Sequence, residues 1–446
     1  MLQSQILNAL PRRILANLWA SKETRISLSH LSHAPSLHSG TTQLPVAATP
    51  SFLCSELPVR CTHLLRLLST LTPESLQTPI IRHVAHQYLH DICTLLHPSL
   101  RATSQRAFSD VLRRLRHRQA ASLVRLRYAL LATPTPSSVS LMESINNIGI
   151  GIHVLAGQHL SWSSDDIHQR VQSICPVEIA EMAAKDARDA CAGLGPVPEI
   201  AVYHQKNIKD LGIIYAPGIL HRILYESMVL ALRAQIIRNE ETQRQQSWFQ
   251  RQLSSAFDKH QALNLQVFGG ATSIGFRLES PAPLSPRDMM PNVPRDPMGM
   301  PSASGVLSRT RSKTIRVDDD PDNLEWECLE GWRTAKQLAS HWGGHLDCVS
   351  TDGLGTTIYL ALERDPTLVE RYPTRSLASS AHSLLRHQRR ISAAAAAAAN
   401  SGTLTLDAAT VQLDTFLHAI SDSQYPVYQP LKQDHSVSLT AAVSHA

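Results

Sequence analysis

Apolar and polar positions recur with two different periods along this chain of 446 residues, and the change of period divides it. From Phe52 to about Ser173 apolar residues return every three or four positions in long runs, roughly 74–97, 101–131 and 140–160. Breaks such as Pro134-Thr135-Pro136 separate the runs. This pattern predicts long amphipathic helices with short connections, and so a helical bundle. From about Cys175 the pattern is mixed. Residues 176–192 are alanine-rich and predict a helix, as do Gly331 to His341. Glu199–Tyr203, Gly212–Tyr215, Leu265–Phe268, Ser273–Leu278, His345–Val349 and Thr356–Leu362 predict strands, with 265–268 and 273–278 forming a hairpin. Strands and helices in this order predict a two-layer α/β sandwich.

The strongest helix signal runs from Ile219 to Ile236, opened by Pro217-Gly218 and free of internal Gly or Pro. Leu220, Leu224, Ser227 and Ala231 share one face; Ile223, Glu226, Leu230 and Arg233 lie on the next. Glu226 stands among Ile, Leu and Met. It is either a solvated residue at the edge of the face or a buried carboxylate that needs a partner.

Composition adds limits. Apolar residues make up 43% of the chain and the net charge is +5. Arg113, Arg114, Arg116, Arg118, Arg125 and Arg127 cluster, but no aromatics interleave to stack on bases. The cluster reads as a solvated helix face or a surface for an acidic protein, with no nucleic acid as partner. No apolar run approaches the roughly 20 residues of a membrane span, so no transmembrane segment is expected. The seven cysteines form no C-x-x-C pair and read as small buried thiols. Residues 1–50 set Arg12, Arg13, Lys22 and Arg25 against a single acid, Glu23. Leu2, Ile6, Leu10, Ile14 and Leu18 form one apolar stripe there. That is the profile of a mitochondrial transit peptide, or of a disordered tail. Residues 281–322 are poor in apolar residues, rich in Pro, Ser and Met, and include Asp318-Asp319-Asp320, which predicts a disordered insertion. Residues 366–446 read as a tail, with the alanine run 393–399 of low complexity.

Several words in this order resemble one family. They are Glu56-Leu57-Pro58-Val59-Arg60, Arg116-His117, and Ile148-Gly149-Ile150 with Gln158-His159. Glu226 follows, with Ala231, Arg233 and Ala234 of an E-x-x-x-N-A-x-R-A helix. Gly343-Gly344-His345-Leu346, Gly353-Leu354-Gly355-Thr356 and Glu370-Arg371-Tyr372-Pro373 complete the set. Over about residues 52–373 the chain resembles the mitochondrial protein kinases of 2-oxoacid dehydrogenase complexes, the pyruvate and branched-chain 2-oxoacid dehydrogenase kinases.

The resemblance implies a bundle (51–174) followed by a sandwich of the gyrase and histidine-kinase ATPase type (175–365), with the insertion 281–322 in place of a lid. It implies ATP-dependent phosphorylation of a serine on the dehydrogenase component in the mitochondrial matrix. Glu226 would orient or deprotonate that serine, with His117 beside it. Arg233, Ser280, Gly331, Gly353, Gly355 and Thr356 would belong to the nucleotide site. ATP and magnesium are the implied cofactors; the dehydrogenase component, its lipoyl domain and a second copy of the chain are the implied partners. Phosphoryl transfer rests on positioned phosphates and a metal. The residues depart from the family there. Leu230 stands where the family has its magnesium-binding Asn. Ser280-Pro281-Ala282-Pro283-Leu284 stands in place of D-x-G-x-G, and Leu329-Glu330-Gly331-Trp332 in place of G-x-G-L. The alternative expectation is therefore a pseudokinase, a scaffold that binds the complex or a sibling kinase.

Overall fold

The computed structural model describes residues 11–32, 45–131, 136–164, 170–205, 212–245, 262–284, 331–351, 353–378 and 404–421. Among the described residues two short helices come first, α1 (Arg12–Ala20) and α2 (Leu28–Leu31). The bundle comprises α3 (Pro50–Leu68), α4 (Pro73–Gln77), α5 (Pro79–Leu96), α6 (Pro98–Ala102), α7 (Gln105–Leu131) and α8 (Pro136–Ser164). Helix α3 starts sharply. Pro50 occupies its first turn, and the Thr49 hydroxyl accepts the Phe52 N–H at 3.4 Å. Helices α3, α5, α7 and α8 pack as neighbours around a ring. Leu57, Leu64, Leu89, Ile92, Leu126, Ile145 and Ile152 fill its core. By length and composition Ser137–Ser164 would be apolar enough to cross a membrane. The sequence reading found no such run, and the packing explains this helix: its apolar side is buried against α3 and α7.

The second half contains β1 (Gln172–Ile174), α9 (Pro176–Cys191), β2 (Ile200–His204), β3 (Ile213–Tyr215) and α10 (Pro217–Gln245). It continues with β4 (Leu263–Gly269), β5 (Ser273–Ser280), α11 (Gly331–Ser340), β6 (His345–Thr351) and β7 (Gly355–Glu363). The main sheet has the order β2-β4-β5-β7-β6; β2 pairs with β4 in parallel and the other pairs are antiparallel. Strands β1 and β3 form a separate antiparallel ribbon. Side chains alternate as a half-buried sheet requires. Val267, Phe276, Leu360 and Leu346 are in register and buried. The next row, Gln266, Arg277, Tyr359 and Asp347, is exposed. Helices α9, α10 and α11 pack on one another and on the sheet. The fold is thus mixed: helices, then α/β with a small mixed sheet.

Three stretches differ from expectation. The proposed leader 1–50 contains α1, whose Leu15, Ala16 and Trp19 are buried. Ile14, placed on the apolar stripe by its spacing, is 43% exposed. The buried face is one residue round, because the helix docks on α12 (Leu406–Ser421). Trp19 donates Nε1–H to Gln412 at 2.8 Å and its ring meets Phe416. The expected tail likewise contributes α12 and the buried Glu370, Tyr372 and Leu377. Residues 281–284 of the expected insertion are packed, with Ala282 and Leu284 buried. Residues 285–322 and the alanine run 393–399 lie outside the described residues.

The E-L-P-V-R and E-R-Y-P words meet in a buried ionic node. Arg60 is wholly buried. It donates from Nε to Glu56 at 2.9 Å, from Nη1 to Glu370 at 3.0 Å, and from Nη2 to Glu370 and the Thr24 carbonyl. Glu370 also accepts the Ile26 N–H at 2.9 Å, and His341 Nε2 lies 3.3 Å from it. Burial alone would raise the Glu370 carboxyl, but the Arg60 charge and the hydrogen bonds outweigh it and hold the group well below the usual carboxylate range. Gly151 on α8 leaves the room; a methyl there would overlap the Arg60 guanidinium.

Beside the node, His63 takes a hydrogen bond from the Tyr372 hydroxyl at Nδ1 (2.8 Å) and donates from Nε2 to the Ser21 carbonyl (2.9 Å). Both bonds suit a neutral ring. Burial drives its pKa from 6.5 down to about 4, partly opposed by the Ser21 bond. The unfolded chain therefore takes up this proton first. Its contribution to stability is complete above pH 6.5 and is lost as pH falls toward 4. Urea melts across that window are expected to show falling stability, and His63→Gln to flatten the fall; an unchanged slope in the variant would contradict this.

Candidate nucleotide and phosphotransfer site

Helix α10 carries the first group of candidate residues. Its face Leu220, Leu224, Ser227 and Ala231 is buried, which fixes the rotation of the helix. Glu226 falls at the edge of that face, with its side chain 14% exposed. It forms an i,i+4 ion pair with Arg222 at 2.7 Å. The first residue of α11, Gly331, lies against the same carboxylate, so closely that a methyl at Gly331 would overlap it. Glu226 thus sits between a guanidinium and the positive end of a helix. Arg222 competes for the carboxylate lone pairs that a serine proton would need. The helix end that the resemblance assigns to phosphate already faces an anion of the protein.

Leu230 follows one turn later and is buried in the core. Arg233 comes next, half-buried, and its charge acts on the nearby buried Cys191 of α9, where α9 packs on α10. His117 is half-buried on α7 in the bundle.

The ends of β5, β6 and β7 carry the second group. Ser280 pairs in register with Thr356, and Thr356 with Ser350. Gly353 and Gly355 have φ of +83° and +98°. At Gly355 two demands coincide: that left-handed backbone and contact with the Ser280 carbonyl, which a methyl would overlap. The Thr356 hydroxyl donates to the Ala282 carbonyl at 2.8 Å and accepts the Leu284 N–H at 2.9 Å. Ser350 Oγ lies 3.0 Å from it and also accepts from Leu284, at 2.7 Å. Ser280 Oγ accepts the Ala282 N–H at 3.3 Å. From α10, Arg238 donates to the Pro281 carbonyl at 2.6 Å. The segment 281–284 therefore occupies the hydroxyls that the resemblance would offer to adenine.

Two clusters of the expected site are brought together: Glu226 with Gly331, and Ser280 with Gly355 and Thr356. Arg233 turns instead to α9. Leu329, Glu330 and Asp352 lie outside the described residues. Sequence reasoning passed over Arg222 as the partner of Glu226, although the i,i+4 spacing signals it. Ser350 stands at the Ser of the S-x-x-G-x-G-T word, but the backbone of Ala282 and Leu284 carries no sequence signal. Magnesium needs about six oxygen ligands. Leu230 supplies none, and among the described residues no group of three His, Cys, Asp or Glu side chains could hold a metal. The residues present do not fit the ion at this place.

Comparison with known proteins agrees with the words read in the sequence. The family described as mitochondrial branched-chain alpha-ketoacid dehydrogenase kinase matches residues 25–181. The match begins inside the stretch expected as a leader. A mitochondrial [pyruvate dehydrogenase (acetyl-transferring)] kinase of Arabidopsis thaliana is 22% identical over 366 residues, covering 77% of this chain and 91% of the relative. The family match spans the bundle words, and the two matches together support, at low identity, membership of the mitochondrial 2-oxoacid dehydrogenase kinase family.

Proposed function

We propose that this chain is a mitochondrial-matrix regulator of a 2-oxoacid dehydrogenase complex that acts by binding and not by phosphoryl transfer. In this reading the bundle (51–174) and an ATPase-type sandwich (175–365) are retained as a scaffold. It engages the dehydrogenase component, its lipoyl domain or a sibling kinase, and pairs with a second copy of itself. The observation that carries the reading is Leu230, buried apolar side chain where the resemblance requires a magnesium ligand. The bound state of Thr356 and the pairing of Glu226 with Arg222 point the same way. The test is incubation of the purified chain with a dehydrogenase complex, magnesium and γ-labelled ATP. The expected result is co-sedimentation with the complex and no label on the dehydrogenase above the enzyme-free control. Label that grows with enzyme and is abolished by Glu226→Gln would refute it.

The second reading is an active serine kinase with ATP and magnesium as cofactors. It is favoured by Glu226 with Ala231, Arg233 and Ala234 on one helix, and by the approach of Gly331 to Glu226. In that reading Glu226 receives the serine proton and His117 tunes it.

A further inference from the structure

We propose that residues 12–32 serve twice: first as a targeting helix in the unfolded chain, then as a permanent part of the folded core. Import would then not be followed by their removal, and any processing cut falls before Arg12. The proposal rests on the mitochondrial reading for its first half and on the packing of this segment for its second.

The helix α1 has the two faces that a targeting helix needs. Arg12 and Arg13 are exposed, while Leu15, Ala16 and Trp19 form the apolar face. In the folded protein that apolar face is no longer free. Leu15 and Ala16 are 1% exposed and Trp19 0%. Trp19 is held by Gln412 and Phe416 of α12, and α1 also packs on α3.

The chain after α1 is bound as firmly, through its backbone. The Thr24 N–H donates to Glu56 at 3.1 Å and the Thr24 carbonyl accepts from Arg60 at 2.9 Å. Ile26 exchanges bonds with Glu370: its N–H donates to the side chain at 2.9 Å and its carbonyl accepts the Glu370 N–H at 2.8 Å. Trp342 donates Nε1–H to the same Ile26 carbonyl at 3.4 Å. Ser29 N–H donates to the Pro366 carbonyl at 2.8 Å, and Ser27 bridges Val369. Ile26, Leu28 and Leu31 are buried. A cut after residue 32 would remove one acceptor of the fully buried Arg60 and one donor to the buried Glu370. It would also bare the surface that Trp19 covers. Buried polar and ionic groups left without partners are costly, so such a product would not keep this fold.

Two measurements test the two halves. The full-length chain is expressed in cells, recovered from mitochondria, and its N-terminus read by mass spectrometry. The expected N-terminus lies at or before Arg12; one beyond Arg12 would overturn the proposal. Recombinant full-length chain is compared with a chain lacking residues 1–32 and with Trp19→Ala. A lost or strongly lowered cooperative melt is expected for both, and full-length melting of the truncated chain would overturn the second half. Arg13→Glu is expected to cut import several-fold while the recombinant melt stays unchanged; Arg12 is left in place because it pairs with Asp414 of α12 at 3.3 Å. Undiminished import, or a chain that never reaches mitochondria, would overturn the first half. None of these readouts depends on ATP, so they stand apart from the test of phosphoryl transfer.

Discussion

Glu370→Ala is expected to lower the unfolding free energy by on the order of 3–5 kcal/mol, the usual cost of breaking one side of a buried ion pair. The carboxylate accepts two hydrogen bonds from a guanidinium that is fully buried, and it also takes the Ile26 N–H. After truncation Arg60 would keep Glu56 and the Thr24 carbonyl. Its remaining protons would face a cavity beside α8, and the Ile26 N–H would lose its acceptor. Three parts of the chain meet here: residues 24–26, α3, and the segment after β7. Loss of the node should therefore loosen all three together, and the melt should stay cooperative while its midpoint falls by roughly 5 °C. Arg60→Met combined with Glu370→Leu should lie nearer the natural protein than Glu370→Ala alone, because no buried charge is left unpaired. Urea and thermal melts of the three variants measure this. A cost below about 1 kcal/mol for Glu370→Ala would mean that the node does not hold the fold.

Leu230→Asn with Ser280→Asp is expected to improve Mg-ATP binding by about tenfold or less and to destabilise the fold by about 2–5 kcal/mol. The loss follows from burial, since Leu230 is 6% exposed and Ser280 5%. An amide and a carboxylate would enter a packed environment, and the leucine volume would be forfeited. The gain is limited by what the two substitutions leave in place. Thr356 would still bond Ala282 and Leu284, and Glu226 would still lie between Arg222 and Gly331. A carboxylate at 280 would be a better acceptor for an amino group than the present hydroxyl, but it must displace the Ala282 N–H. Calorimetric titration of both forms checks the gain, and urea melts check the cost. Restoration to micromolar affinity by these two changes alone would show that segment 281–284 is no obstacle.

The elements were legible because their causes are local. Period-two alternation gave β4, β5, β6 and β7 within a few residues of their ends, and Leu220, Leu224, Ser227 and Ala231 proved to be one buried face. The Arg222–Glu226 pair was legible in principle from its spacing. What could not be read was contact between distant segments. Arg60 and Glu370 were each singled out as parts of words, yet nothing in either word says that they join across 310 positions. The basic, acid-poor start hid the role of Trp19, because charge and periodicity describe a helix and not what covers it. The packing of 281–284 was hidden for a similar reason: Pro281-Ala282-Pro283-Leu284 has a loop composition, but its backbone satisfies Thr356 and Ser350. The arginine cluster shows the reverse case. Arg118 pairs with Asp91, Arg113 with Asp110, and Arg127 is buried, so part of that charge is already used within the bundle.

The most direct test of a closed nucleotide site is calorimetric titration of Mg-ATP into the natural full-length protein, with its melting temperature followed in parallel. A ligand that binds only the native state must raise that temperature. No resolvable heat at millimolar nucleotide and no rise in melting temperature are expected. Micromolar binding of Mg-ATP, together with a raised melting temperature, would contradict a closed site.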